Sequence, residues 1–340
     1  MAFDVPRDRL LGLVASFSGR RLAVAGDFVL DRFVYGHPRR ISREAPVLIL
    51  RFAREESLPG GAGNTAANVR SLGGAPIPVG AIGADEEGRA LRRGFEERGI
   101  ATGGLLEVPG YATPSKTRIL GGAPHAIKQQ IVRYDRGEPL PADPRIAAAL
   151  ARSLADAARG AAGAIVSDYA YGAVSPASVT ALRAALPAAA PILVDSRHAL
   201  LSYRGVDAAT PNEEELEESA GAVFGDSEEA LSRAAADMAK KIGCRTLLVT
   251  LGSRGMALFN GPGPPRRIPV HGTDQVADVT GAGDTVLATF SLALASGGTA
   301  LEAALLANFA GGVVVMKMGT AVVTGDELRE AIAADRTILR

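Results

Sequence analysis

The residues with the most chemical content lie late in the chain, in Asp278-Val279-Thr280-Gly281-Ala282-Gly283-Asp284-Thr285, directly ahead of an apolar run from Val286 to Leu294 that reads as a helix. A helix N-terminus carries unpaired backbone N–H groups and a partial positive charge, which suits phosphate oxygens. Gly281 and Gly283 let the backbone approach an anion closely. Asp284 is the odd member of the set. A carboxylate facing an anion site is repelled there unless its task is to take a proton from a hydroxyl that attacks a phosphate, and that combination points to phosphoryl transfer. Taken alone, the same residues also suit a glycine-rich turn with an aspartate N-cap.

A second glycine cluster is Pro59-Gly60-Gly61-Ala62-Gly63-Asn64-Thr65-Ala66-Ala67-Asn68. Gly61 to Ala66 formally match the dinucleotide fingerprint G-x-G-x-x-A, but that fingerprint needs a strand before its first glycine, where Glu55-Glu56-Ser57-Leu58-Pro59 stands instead. A Pro-Gly-Gly turn followed by a helix opening with Asn64 reads better as a backbone cradle for a small polar molecule. Asn64 and Asn68 share one helix face at i, i+4. The Asn64 amide both donates and accepts, which suits sugar hydroxyls. A tight turn with an Asn cap is the plainer reading.

The elements that must hold these clusters alternate between strand and helix. Strands are expected at Arg21–Phe28, Ile77–Ile82, Ala164–Val166, Ile192–Val194 and Arg245–Thr250, and helices at Gly63–Leu72, Glu86–Arg98, Pro176–Leu186 and Asp226–Ile242. That order predicts an α/β fold, a mostly parallel central sheet with helices on both faces. Ligands then sit beyond the carboxyl ends of the strands, where Asp27, Asp168, Asp195 and Thr250 fall. Two stretches, 33–52 and 105–136, break the pattern and read as a small β-rich lid able to close over a ligand, the second with a hairpin through Gly121-Gly122 and Ile127–Tyr134.

Composition narrows the partners. The 37 basic and 37 acidic residues balance, so neither nucleic acid nor an anionic membrane is expected as a bulk partner. One cysteine, Cys244, excludes an intramolecular disulfide, and His37, His125, His198 and His271 lack metal-ligand spacing. Met1–Arg9 is charged and short of apolar residues, unlike a signal peptide, so a cytoplasmic location is expected. No Gly-Lys dipeptide occurs, which excludes a Walker-type phosphate loop.

The two glycine clusters, in this order, resemble the two signatures of the ribokinase-like (PfkB) carbohydrate kinases. The likeness extends over Gly26-Asp27-Phe28-Val29-Leu30-Asp31-Arg32-Phe33, Arg40–Val47, Thr210-Pro211-Asn212-Glu213-Glu214-Glu215 and Val249–Met256, essentially the whole chain. Within the family it runs to the kinases of D-glycero-D-manno-heptose 7-phosphate. The resemblance implies one ribokinase-like domain of three α/β/α layers over residues 1–340, ATP and Mg²⁺ as cofactors, and a sugar or sugar phosphate as acceptor. It implies Asp284 as general base, with an anion hole from Gly281, Ala282 and Gly283 and the Asp284 N–H.

It further implies that Asn212 and Glu215 hold Mg²⁺ largely through water, and that Thr250, Gly252, Gly255 and Thr280 line the nucleotide. Asp278 falls near a site for a monovalent cation such as K⁺. Asp27, Asp31, Gly60, Gly61 and Asn64 would grip the sugar, and a homodimer through the lid is expected. For a substrate phosphate the lid offers Arg39, Arg40, Arg43, Lys116, Arg118, Lys128 and Arg133, a choice the sequence leaves open, with Lys116 and Arg133 counted among the substrate-binding residues; arginine suits bidentate phosphate contacts.

Asp195-Ser196-Arg197 departs from the Asp-Pro-Lys of the heptose kinases, and no His-x-Gly-His motif of a second, nucleotidyltransferase activity occurs. A kinase for another sugar or a nucleoside is the nearest alternative. A silent sugar-binding protein and an NAD-dependent oxidoreductase using Gly61–Ala66 are the more distant ones.

Overall fold

The computed structural model describes residues 3–122, 128–225, 227–261, 263–272 and 277–339. His125, Ile127 and Asp226, named above, lie outside these residues. In chain order the elements are α1 (Arg7–Ala15), β1 (Arg21–Gly26), β2 (Phe28–Ile41), β3 (Leu48–Gly61), α2 (Ala62–Ser71), β4 (Ala75–Gly83), α3 (Glu86–Glu96), β5 (Leu105–Val108), β6 (Ser115–Gly121) and β7 (Gln129–Arg136). There follow α4 (Pro144–Ala158), β8 (Gly163–Asp168), α5 (Pro176–Ala185), β9 (Ile192–Ser196), β10 (Ala208–Ala209), α6 (Glu213–Ala220), α7 (Glu228–Ile242), β11 (Thr246–Thr250), β12 (Met256–Asn260), β13 (Arg266–Ile268), α8 (Ala282–Ala295), α9 (Ala300–Val314) and α10 (Gly325–Ala334).

Nine strands form one sheet in the order β13-β12-β11-β10-β9-β8-β1-β4-β5. It is parallel from β11 through β5, with β12 and β13 added antiparallel at one edge. The central strand β1 is buried from Leu22 to Gly26, as a parallel strand covered on both faces must be. One core joins the sheet to α1, α2, α3, α8, α9 and α10 through residues such as Phe17, Phe95, Phe290 and Phe309. The other joins it to α4, α5, α6 and α7 through Leu154, Leu182, Leu216 and Met238. Helices α8 and α9 are apolar on nearly every side and pack against each other inside the first core. No helix among the described residues is long and apolar enough to cross a membrane.

A smaller four-stranded sheet has the order β3-β2-β6-β7. Its bounds differ from the expected 33–52 and 105–136. The strand expected over Arg21–Phe28 stops at Gly26, and after Asp27 the chain enters β2, which pairs with β3 from Phe28↔Gly61 out to Ile41↔Leu48. Apolar residues continue through Phe28, Val29 and Leu30, so the change of sheet leaves no mark in the hydrophobic pattern. Leu105–Val108 pairs with β4 and belongs to the main sheet. Pro59-Gly60-Gly61 is the end of β3, not a turn, and α2 begins at Ala62 without a break. A strand therefore does precede the Gly61–Ala66 run, but it is antiparallel and lies in the wrong sheet for a dinucleotide-binding βαβ unit.

Candidate active site

Asp284 lies three residues inside α8, whose N-cap is Gly281, so the helix starts four residues earlier than the apolar run suggests. The carboxylate caps nothing. It is 4% exposed and accepts hydrogen bonds from three side chains: Asn64 Nδ2 at 2.9 Å to Oδ2, and Thr65 Oγ1 at 3.1 Å and the Tyr169 hydroxyl at 3.0 Å to Oδ1. Asn64 is itself fixed, because Asn68 Nδ2 donates to its Oδ1 at 3.2 Å while Thr285 Oγ1 donates to Asn68 Oδ1 at 3.1 Å. Burial pushes the Asp284 carboxyl up to about 6 against the pull of its three donors, with the Asp31 charge adding to the rise. A carboxylate held in that range is largely ionised at pH 7 and still basic enough to take a proton.

Gly281 and Gly283 differ in what they permit. Gly281 has φ +77°, and a Cβ there would come within 2.4 Å of Asn64 Nδ2. A Cβ on Gly283 would meet nothing within 4 Å. The first glycine is required by the fold of the site, whereas the second leaves open space where the helix N-terminus faces outward. The expected anion hole is partly committed, since the Ala282 N–H donates to Val279 O at 3.2 Å.

Asp31, on β2, is 4% exposed and close enough for its charge to act on Asp284. Its partner is Arg118 Nη1 at 2.5 Å, with Thr320 Oγ1 at 3.3 Å on the other oxygen. Arg32 turns instead to Glu55, at 2.6 Å. A Cβ on Gly60 would fall 2.3 Å from Asp31 Oδ2, so the bare backbone makes room for that carboxylate. Asp27 departs from the expected grip on a sugar. It is 2% exposed, and its oxygens accept backbone N–H groups of Tyr169, Tyr171 and Ala173, each at 2.9 Å. It braces a loop beneath the site.

Register places Asp31, Lys116 and Asp135 in one cross-strand row and Phe33, Arg118 and Arg133 in the next but one, all on one face of the smaller sheet. Lys116 is half-buried, with Nζ 5.3 Å from the centre of the Tyr169 ring, and burial lowers its pKa, helped by the like charges of Arg133 and Arg197. Arg133 is more open and pairs with Asp135 at 2.9 Å. Arg118 is spent on Asp31. Arg39, Arg40 and Arg43 are exposed near the tip of the β2–β3 hairpin, and Lys128 Nζ donates to Gly122 O at 3.1 Å.

On the other side of Asp284 an apolar cleft of about 780 Å³, open mouth included, is lined by Thr250, Gly252, Gly255, Gly283, Val286 and Val315 among others. Thr280 is not in this lining, though Val279 beside it is; its N–H donates to Asp278 Oδ1 at 2.9 Å, and the other Asp278 oxygen accepts the Gly319 N–H at 3.0 Å. Asn212 and Glu215 form a capping box on α6: Asn212 Oδ1 accepts the Glu215 N–H at 2.8 Å and Glu215 Oε2 accepts the Asn212 N–H at 3.0 Å. Asp195, at the end of β9, is driven well above the usual carboxylate range by burial and by the nearby charges of Glu215 and Asp284. Such crowding of carboxylates suits a hard divalent cation. Among the described residues, no three or more His, Cys, Asp or Glu side chains are grouped to cage a metal. Water and phosphate oxygens would therefore supply most ligands, as Mg²⁺ prefers.

Thr65, Tyr169, Thr320 and the Asp31–Arg118 pair are additions that the motifs did not supply. Tyr169 follows Asp168 at a predicted strand end, which is the one sequence signal that could have singled it out.

Known proteins resemble this chain in sequence and in fold. The family model described as pfkB family carbohydrate kinase matches residues 20–325. The bifunctional protein HldE of Mesorhizobium japonicum is 42% identical over 94% of this chain and 63% of its own length, and that of Caulobacter vibrioides is 38% identical over 94% and 65%. The chain thus spans a little under two thirds of these curated relatives. Among solved structures, Arabidopsis thaliana ribokinase complexed with ribose and ATP superposes with a TM-score of 0.69 at 22% identity, covering 93% of this chain and 100% of that one. Escherichia coli phosphofructokinase-2 does so with 0.73 at 18% identity, covering 92% and 98%. The fold is ribokinase-like, and the chain belongs to the pfkB family of carbohydrate kinases.

Proposed function

We propose that this kinase transfers the γ-phosphoryl group of ATP to a hydroxyl of D-glycero-D-manno-heptose 7-phosphate, giving the 1,7-bisphosphate. The observation that carries the reaction is Asp284, a buried carboxylate with three side-chain donors and a pKa of about 6 at the mouth of an anion-receptive helix N-terminus. The acceptor O–H proton passes to Asp284 as the new O–P bond forms and the bond from the γ-phosphorus to the β-γ bridging oxygen breaks, releasing ADP. The N-terminus of α8, with the space beside Gly283, receives the charge of the moving group. The apolar cleft by Thr250, Gly252 and Gly255 suits the nucleotide base, and Thr280 follows Val279 of its lining in the chain. Mg²⁺, held largely through water by Asn212 and Glu215 beside Asp195, would neutralise the phosphates.

The acceptor assignment rests on the bifunctional relatives and on Lys116 and Arg133, cations on the face of the smaller sheet that carries Asp31. Asp31, Gly60, Gly61 and Asn64 form the sugar wall, with Asp27 as its brace. We read the chain as one kinase domain with the smaller sheet as a lid. Val132 and Tyr134 on the opposite face of that sheet are 47% and 54% exposed, which suits pairing with a second copy. Asp278 braces its turn with both oxygens, and no step is assigned to a monovalent cation.

An ADP-release assay across heptose 7-phosphate, other sugar phosphates, free hexoses and nucleosides tests the acceptor. The highest kcat/KM is expected for heptose 7-phosphate. Preference for an unphosphorylated sugar or a nucleoside would overturn the acceptor and leave the phosphoryl transfer in place.

A further inference from the structure

The residues that follow β8, Tyr169 to Ala173, form a tight loop beneath the base. Ala170 has φ +65° and is the one non-glycine residue in the left-handed region among those described. A strained backbone of this kind persists where its surroundings over-determine it. Here the determinants are two buried carboxylates. Asp168 accepts the Ala170 N–H at 2.9 Å, and Asp27 accepts those of Tyr169, Tyr171 and Ala173. Asp168 is held in turn by Ser196 Oγ at 2.8 Å and the Tyr203 hydroxyl at 2.9 Å.

The outcome of this bracing is the placement of one side chain. The Tyr169 ring lies against Gly61, where an added Cβ would come within 3.3 Å of it, and under Lys116 Nζ. Its hydroxyl reaches Asp284 Oδ1 at 3.0 Å.

We propose that Tyr169 is a positioning residue for the general base, aimed by the Asp27-braced loop, and that it pins Oδ1 together with Thr65 so that Oδ2 is the oxygen presented to the acceptor hydroxyl. The inference deepens the proposed phosphoryl transfer and rests on it for the role of Asp284. Oδ1 already has two donors, whereas Oδ2 has Asn64 as its one side-chain donor and keeps a lone pair for the incoming proton.

The charged groups around Asp284 set the sign of the test. Asp31 of β2 faces it with Arg118 of β6 as counter-ion, Asp195 approaches from β9 with Glu215 behind it, and Lys116 of β6 stands over the far side of the Tyr169 ring. Asn64 and Thr65 of α2 are uncharged donors. A hydroxyl that donates to Asp284 favours its ionised form. Its removal makes the base harder to ionise.

The experiment is a carboxyl ¹³C titration of Asp284 in the substrate-free protein, the signal assigned by its loss in Asp284→Asn. In Tyr169→Phe the midpoint is expected to rise by roughly half to one pH unit, with the acid limb of kcat moving equally and the melting temperature nearly unchanged. Asp27→Asn, if folded, is expected to move the midpoint the same way with a lower melting temperature, because the loosened loop releases the hydroxyl. A parental midpoint in Tyr169→Phe would overturn the proposal. A shifted Tyr169→Phe beside an unshifted, folded Asp27→Asn would overturn the bracing by Asp27. Should no sugar or sugar phosphate be turned over, the functional reading fails, yet the titration still reports on the Tyr169–Asp284 contact.

Discussion

Around Asp284 the polar side chains are buried and committed to one another: Asn68 holds Asn64, Asn64 and Thr65 hold the base, and Tyr169 closes the set from a loop tied down by Asp27. On β7, all eight residues from Gln129 to Arg136 are exposed, and Arg133 meets Asp135 two positions away. The first region is finished before any ligand arrives, which is what catalysis by a pre-aimed base requires. The second keeps its charges near solvent, where they can rearrange around a ligand. On the function proposed above, chemistry belongs to the first region and acceptor choice to the second.

The largest expected effect comes from taking the charge out of the first region. Asp284→Asn should lower kcat by roughly 10²–10⁴-fold while leaving nucleotide binding near parental, as read by ADP release and calorimetry. The same change should not destabilise the fold. A carboxyl raised from 3.8 to about 6 costs the folded state about 3 kcal/mol once ionised, so the cost is absent below about pH 4 and full above about pH 6. The variant's melting temperature should therefore match the parent's at pH 4 and equal or exceed it at pH 8. In the parent, kcat should fall as pH drops through about 6.

Next in size is Gly281→Ala, which drives a Cβ into Asn64 at a positive φ. Its expected cost is about 1–3 kcal/mol of stability with a kcat loss of at least tenfold, measured by denaturant titration and steady-state kinetics. Gly283→Ala is the control that sharpens the contrast. It should keep parental stability and act through a raised KM for ATP; equal destabilisation of both variants would break the distinction between a glycine the fold needs and one the ligand needs.

Smaller effects belong to the cations of the smaller sheet, half-buried Lys116 on β6 and exposed Arg133 on β7. Lys116→Ala should raise KM for a phosphorylated acceptor by roughly tenfold with kcat changed far less, and Arg133→Ala by roughly threefold, since an exposed, already paired cation contributes less. Equal effects on an unphosphorylated sugar would remove both from phosphate recognition. Val132→Asp with Tyr134→Asp should weaken self-association in sedimentation and leave the unfolding free energy of the isolated chain within about 0.5 kcal/mol of parental, by denaturant titration.

Strands β1, β4, β8, β9 and β11 of the main sheet were legible as short apolar runs separated by helical periodicity, whereas the short β5, β10 and β13 and the antiparallel β12 were not expected there. The smaller sheet was harder. Phe28 continues the apolar run of β1, so one residue, Asp27, separates strands of two different sheets without any signal from polarity. At the site, Asp284 was legible since a lone carboxylate in a glycine-rich helix entry is chemically odd. Asp27 was not, because a buried Asp that accepts three backbone N–H groups and one that grips a ligand look the same in sequence. The Asp31–Arg118 pair joins residues 87 positions apart, and register alone brings them together.

Both stems of the smaller sheet's long hairpin leave the main body at the same point, where the Ala62 N–H donates to Asp27 O at 3.1 Å. The hairpin is a cantilever clamped at its root: bending there is small and displacement grows along its length. A bend at that root would move Asp31 and Gly60, beside the clamp, least and the tip at Ile41–Leu48 most.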